Sequence, residues 1–272
     1  MAHTRLPSLV RARTLALAGD IRTWLAVVLL IRLVGITSAP LETSHSWRQA
    51  FTNMVARNLA EGPFDLLHPR TDLAGEREDV VASEFPGFNA LIAGMLRTFG
   101  PAHWYGRLIA LLVSTLGAWA FHALLKKRFG DRVAFLSTIV LLFSAWFIYG
   151  RKAMPDTFSL ALVLIALWLV DRALREDRTG LLFAAVPFAA LGGLCKIPAV
   201  VLFIPWGLMV LQPGLPFRLR WRTAMALALA SAPVLWWYFH WQPHLLERYG
   251  NALYFPFTLT DGYASLQPYT TK

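Results

Sequence analysis

Phe85-Pro-Gly-Phe-Asn-Ala-Leu-Ile-Ala-Gly-Met-Leu-Arg-Thr-Phe99 is apolar enough to enter a bilayer yet marginal for crossing one. At about 15 residues it falls short of the roughly 20 a helix needs to bridge ~30 Å of hydrocarbon, and Pro86, Gly87, Asn89, Gly94 and Arg97 interrupt it. Charges on either side decide how it sits. As a span it would send Lys126, Lys127, Arg128 and Arg132 to the outside. Laid on the surface, it leaves four basic clusters on one side: Arg5/Arg11/Arg13/Arg22, the cluster just named, Arg172/Arg175/Arg178 and Arg218/Arg220/Arg222. The short connections on the other side then hold only Arg151, Lys152 and Lys196. Lys and Arg accumulate on the cytoplasmic side of membrane proteins, so residues 85–99 are expected on the outer membrane surface.

Composition agrees with a membrane chain. Of 272 residues 56% are hydrophobic and 15% charged, and mean hydropathy is +0.48; a soluble domain of this size needs more charge to cover its surface. Eleven Trp and seven Tyr suit aromatic belts at two water interfaces. The net charge of +10 sits in short clusters between apolar runs, a placement that favours membrane orientation over nucleic-acid binding. Cys195 is the single cysteine, which excludes an intrachain disulfide and reads as a small buried hydrophobe. No cleavable signal peptide is evident, so the first apolar run reads as a retained span.

Seven spans are expected, at about 22–39, 105–125, 133–149, 155–171, 180–195, 197–211 and 222–240. The fold class is an all-α polytopic membrane protein. Residues 1–21 form a cytoplasmic N-terminus, 22–240 a transmembrane domain with a long outer loop at 40–104, and 241–272 an extracytoplasmic tail. Within the loop, Ser46-Trp47-Arg48-Gln49 has the form of a capping box. Trp47, Ala50, Phe51, Met54, Val55 and Leu59 follow at helical spacing until Gly62-Pro63 stops the helix, which predicts an amphipathic interfacial helix. Residues 65–83 carry mixed charge and no apolar period.

Ionisable residues at span boundaries are the functional candidates. Pro155 places Asp156 in a first helical turn, where a carboxylate either complements the helix dipole or faces Arg151 and Lys152 at headgroup depth. Glu42 and His45 follow the first span; a carboxylate there can act as general base, and His45 can relay a proton. Glu84 opens the interfacial segment and is expected to face the cavity. Lys196, alone between two spans, must reach water or an anion. Arg32 lies inside the first span and should face other helices or the inner surface, not lipid. No Walker loop, dinucleotide glycine pattern, HExxH or nucleophile elbow occurs.

Glu42-Thr-Ser-His-Ser-Trp-Arg-Gln-Ala, Ala56-Arg-Asn-Leu59, Glu84-Phe-Pro and Gly150-Arg-Lys-Ala-Met-Pro-Asp156 together resemble the GT-C membrane glycosyltransferases. The nearest branch is family 39 and its ArnT-like relatives, the protein O-mannosyltransferases and aminoarabinose transferases, over roughly residues 20–245. The resemblance implies a GT-C-like helix bundle that moves a sugar from a polyprenyl-phosphate donor to a lipid, glycan or protein acceptor. It places the active side on the extracytoplasmic face of the plasma (inner) membrane. Glu42 matches the family's base by position, although the frequent acidic pair is here Glu42-Thr43, and Asp156 matches a second acid. The lysine that some members carry before the interfacial proline is Phe85 here, so Arg151, Lys152 or Lys196 would hold the donor phosphate. Trp47, Arg48, Gln49 and Glu84 would line the cavity, with His45 beside the base. No soluble cofactor or nucleic acid is implied, and a divalent metal stays open. Relatives usually continue for several more spans, so a shortened member or fragment is expected. The competing expectations are a transporter or lipid-binding protein without catalysis, and an inactive subunit of the same fold.

Overall fold

A computed structural model of the chain describes residues 19–39, 45–76 and 78–251, which are helical apart from connections and one isolated antiparallel bridge, Arg70 to Val80. The helices are α1 (Ile21–Leu33), α2 (Ser46–Glu61), α3 (Gly87–Phe99), α4 (Tyr105–Phe129), α5 (Asp131–Leu142) and α6 (Ala145–Tyr149). Then come α7 (Pro155–Glu176), α8 (Thr179–Cys195), a 3-10 turn (Ile197–Leu202), α9 (Phe203–Val210), α10 (Phe217–Trp236), a π turn (Trp237–Trp241) and α11 (Gln242–Tyr249). Among the described residues, α4 and α7 are long and apolar enough to cross a membrane by length and composition, and α8 and the 197–210 run are shorter apolar helices.

Helix α7 is the centre of the bundle. Pro155 supplies the helical φ at its start, and Asp156 favours the positive end of its dipole. Leu167, Val170, Leu182, Trp206 and Ala230 form the core that α7 shares with α8, α9 and α10. Small residues bring the backbones close. A Cβ on Gly117 of α4 would overlap Ala161 of α7, and one on Gly192 of α8 would lie 2.7 Å from Val163 and 2.8 Å from the Ser159 carbonyl. Such close crossings suit helices packed by dispersion in an apolar solvent. Leu116, Leu136, Val140, Ile204 and Leu208 are exposed on the outside of the bundle.

The two ends of the bundle differ in chemistry. At one end Asp171, fully buried, accepts from Arg128 Nε at 2.7 Å and from Arg175 Nε at 2.8 Å. At the other lie the start of α7 and the end of α8, with Asp156 and Lys196.

Within residues 85–99, Gly87–Phe99 form α3, which packs with α2 as a pair. Phe88, Ile92 and Ala93 are buried. Arg97, the charge that made this run a poor span, binds the end of α2. Its Nε donates to the Ala60 carbonyl at 2.9 Å and its Nη2 to those of Leu59 (2.8 Å) and Gly62 (3.1 Å). Those carbonyls have no partner within their own helix, so a guanidinium is the natural cap.

Two expectations about α2 are corrected. Ser46 is the first helical residue and not a side-chain cap; His45 is the N-cap, left-handed at φ 61°, with no side-chain hydrogen bond to the helix. The buried face is Gln49, Phe51, Thr52, Val55, Ala56 and Leu59, while Trp47 is 55% exposed and Ala50 is exposed. A buried polar contact made by Gln49 turns the helix this way, as described next.

Candidate functional site

Four charged side chains from four separate segments meet at the Lys196 end. Arg48 comes from the first turn of α2, Glu84 from the segment before α3, Asp156 from the first turn of α7, and Lys196 from the C-cap of α8. Glu84 Oε1 accepts from Arg48 Nη2 at 2.9 Å and from Lys196 Nζ at 2.6 Å. Asp156 completes the ring at longer range, with Oδ2 3.8 Å from Arg48 Nε and Oδ1 3.8 Å from Lys196 Nζ. The side chains are 12% (Arg48), 18% (Glu84), 19% (Lys196) and 33% (Asp156) exposed, so attraction within the ring is screened less than on an open surface. Its formal charges, two positive and two negative, cancel. Asp156 is the most exposed member, and its Oδ2 accepts no hydrogen bond among the described residues.

The end of α10 fixes where Glu84 and Lys196 sit. Pro233 interrupts that helix and a π turn follows, turning Trp237 and Tyr238 toward the ring's backbone. Buried Trp237 donates from Nε1 to the Ser83 carbonyl at 3.2 Å and meets Phe85 edge-on, with ring centroids 5.1 Å apart. The Tyr238 hydroxyl donates to the Leu194 carbonyl at 2.9 Å, and Phe85 N–H reaches the same oxygen at 3.2 Å. The segment carrying Glu84 is thereby tied to the helix end that carries Lys196. Arg48 and Glu84 of the ring, with Thr52, Asn89 and Cys195, line a cavity of about 20 Å³, room for about one water molecule.

A second cluster holds the end of α1. Arg107, fully buried in the first turn of α4, donates from Nη1 to the Ser38 carbonyl at 2.6 Å and the Ile36 carbonyl at 3.3 Å, and from Nη2 to Ala39 at 3.4 Å. Arg151 donates to Val34 (3.0 Å) and Gly35 (3.1 Å) carbonyls, and His103 Nε2 lies 3.0 Å from the Thr37 carbonyl. Gln49 links this clamp to the ring. Its Oε1, fully buried, accepts from Arg107 Nε at 3.3 Å and from Ala153 N–H at 3.1 Å. Replacing Gln49 by Leu strips both donors of their acceptor inside the protein, with an expected loss of about 1–3 kcal/mol. Thermal unfolding of purified protein reads it; an unchanged midpoint would show that the link carries no stability.

His45 Nε2 lies 3.0 Å from the Tyr149 hydroxyl, with the rings 5.4 Å apart, and Lys152 Nζ stands 5.6 Å from the Tyr149 ring centroid. Lys152 is itself buried, at 3% exposure.

The expected residues therefore divide. Asp156, Glu84, Lys196 and Arg48 come together. Asp156 faces Arg48 and Lys196, where Arg151 and Lys152 were expected opposite it; Arg151 is turned toward the α1 end. Gln49 supports the ring from behind, and Trp47 is exposed. Arg32 is buried as expected, donating to the Trp146 carbonyl at 3.4 Å and lying 5.4 Å over the Phe147 ring. Glu42 lies outside the described residues. Arg107 and Tyr149 escaped the sequence reading; Arg107 was findable by the rule applied to Arg32, a charge within an apolar run, whereas Tyr149 gave no signal. Among the described residues no group of three or more His, Cys, Asp or Glu is placed to hold a metal ion.

Comparison with known proteins gives one positive finding. The family model described as dolichyl-phosphate-mannose-protein mannosyltransferase matches residues 83–237, more than half of the chain. That stretch includes Glu84, Arg151, Lys152, Asp156 and Lys196 and begins after Glu42, His45 and Arg48. No curated protein and no solved structure matches the chain.

Proposed function

Because this chain belongs to the dolichyl-phosphate-mannose-protein mannosyltransferase family, we propose that it moves a sugar from a polyprenyl-phosphate donor to an acceptor hydroxyl on the extracytoplasmic face of the plasma (inner) membrane. Membership makes it a polytopic membrane protein. Seven spans, with the α2–α3 pair lying on the outer surface, complete the proposed topology.

The observation that carries this reading is the ring. A lipid-phosphate sugar donor needs cations at the phosphate that becomes the leaving group, and carboxylates near the hydroxyl that attacks. Lys196 and Arg48 converge on one anion, Glu84 Oε1, at 2.6 and 2.9 Å. A donor phosphate oxygen would find the same two partners once Glu84 moved aside. Such a displacement precedes turnover in this reading, because Glu84 occupies both cations.

In the reaction, Glu42 takes the proton of the acceptor hydroxyl as its oxygen attacks the anomeric carbon. The bond from that carbon to the phosphate oxygen breaks, its electron pair stays on the phosphate, and the new glycosidic bond forms with inversion. Positive charge already in place at the phosphate stabilises the added negative charge. Asp156, with an unused acceptor oxygen, orients the hydroxyl and keeps Arg48 and Lys196 apart. His45, 3.0 Å from the Tyr149 hydroxyl, can relay a proton in this reading. Arg151 secures the backbone leading to Glu42, and Lys152 contributes positive charge near Tyr149.

Full-length chain in detergent, given radiolabelled polyprenyl-phosphate mannose and a panel of hydroxyl acceptors, should release polyprenyl phosphate and form labelled product. Donor binding with no release under any acceptor would overturn the enzymatic reading.

A further inference from the structure

We propose that a cavity at the Asp171 end of the bundle binds the phosphate of an anionic phospholipid from the surrounding membrane, through Arg218 and Arg222. The cavity, of about 330 Å³, lies between the α7–α8 and α9–α10 connections and is lined by Asp177, Thr179, Pro216, Arg218, Leu219 and Arg222. It is remote in sequence and in the fold from the ring at Lys196. This assignment needs only residence in a membrane, not the proposed transfer reaction.

The arginines of this end fall into two groups. Arg128 and Arg175 share Asp171, and Arg172 and Arg178 share Glu176. Among the described residues Arg218 and Arg222 have no carboxylate within ion-pair distance. Arg222 Nη1 donates to Thr179 Oγ1 at 2.7 Å, which holds its guanidinium against the start of α8. Arg220, between them in sequence, donates to the Gln212 carbonyl at 3.5 Å. Asp177 is the acid on the wall, so the lining carries two cations to one anion.

Helix polarity adds to that excess. Helix α10 begins at Phe217 and carries Arg218, Arg220 and Arg222 in its first two turns; it has no acid in the first turn and no side-chain cap. Helix α8, whose Thr179 lies on the same wall, also starts with neither. A helix N-terminus presents free N–H groups and a positive field, which favour anions and disfavour arginines. An anion held between the two connections satisfies both the helix ends and the guanidinium groups.

Neighbouring residues identify the anion's source. Phe217 is 82% and Trp221 62% exposed, next to the arginines in the chain. Exposed aromatic and apolar side chains next to basic ones mark the depth where headgroups meet acyl chains. A lipid phosphate is presented at that depth, whereas a free phosphate ion has no reason to select an apolar rim.

Native mass spectrometry of the full-length chain, titrated with phosphatidylglycerol or phosphatidylcholine in detergent, tests this. Phosphatidylglycerol should bind more tightly, and Arg218→Gln with Arg222→Gln should weaken it about fivefold per arginine, the worth of one basic group near a lipid surface. Arg132→Gln, an exposed cation at the same end but off the cavity, should leave binding unchanged. Asp177→Asn should strengthen it, which keeps the test decisive if the double variant folds poorly. Equal weakening by Arg132→Gln would overturn the site in favour of a diffuse field, as would unaltered binding in both cavity variants. Displacement of phosphatidylglycerol by millimolar inorganic phosphate would overturn the lipid source.

Discussion

Sugar transfer is expected to fall about 10²–10⁴-fold when Glu42→Ala is combined with Asp156→Asn, the range that positioned general acid–base groups contribute. An acceptor hydroxyl must lose a proton as it attacks, and the carboxylates within the ring are poor bases for it: Glu84 already accepts two charged donors. Asp156 keeps an unused acceptor oxygen, so its conversion to an amide should reduce transfer by disturbing hydroxyl alignment while the fold survives. Release of labelled product under saturating donor is the measurement, with donor binding followed separately. Undiminished transfer by the double variant would remove both residues from the site.

Lys196→Met is expected to reduce turnover about 10²–10³-fold, comparable to loss of one charge-stabilising donor in a preorganised site. Lys196 is the closest cation to Glu84 Oε1 and stands at the mouth of the same ring as Asp156. A methionine fills similar volume but offers no positive charge to the departing phosphate. Lys196→Arg should recover part of the rate. Measuring kcat and KM apart locates the effect: loss in kcat places the charge on the transition state, and loss confined to KM places it on donor binding alone. A normal rate in Lys196→Met would show that the phosphate is held elsewhere.

The helices were readable because their cause is local. Apolar runs, Pro155 with Asp156, and Gly62-Pro63 each act within a turn of where they stand. The helix within 85–99 was readable too, and the structure gives Arg97 a use in the carbonyls at the end of α2; its lie on the outer surface stays part of the proposed topology. The capping box failed because Gln49 had a stronger use: its side chain serves Arg107 and Ala153, more than fifty residues away in sequence. The ring was legible as candidates but not as an arrangement. Glu84 lies 36 residues from Arg48 and 112 from Lys196, and nothing in the sequence says which cation meets which carboxylate. The default partner for Asp156 was its neighbour in the chain, Arg151, and the fold spends that side chain on α1.

The close crossing of α4 and α7 constrains how the site can work. Their backbones nearly touch at Gly117 and Ala161, and Arg128 binds Asp171 farther along the pair. Ser114 of α4 also donates to the Gly150 carbonyl just ahead of α7, at 3.1 Å. Three fastenings along one seam leave little freedom for these helices to slide or part. Asp156 is thus mounted on a stator. Helix α3 is fixed to it as well, through Phe88 and Ile92 in a core with Tyr105 and Phe158. Any widening that admits a sugar phosphate therefore has to come from the Glu84 segment, held by the Trp237 hydrogen bond, the Phe85 N–H bond and the Phe85 edge contact.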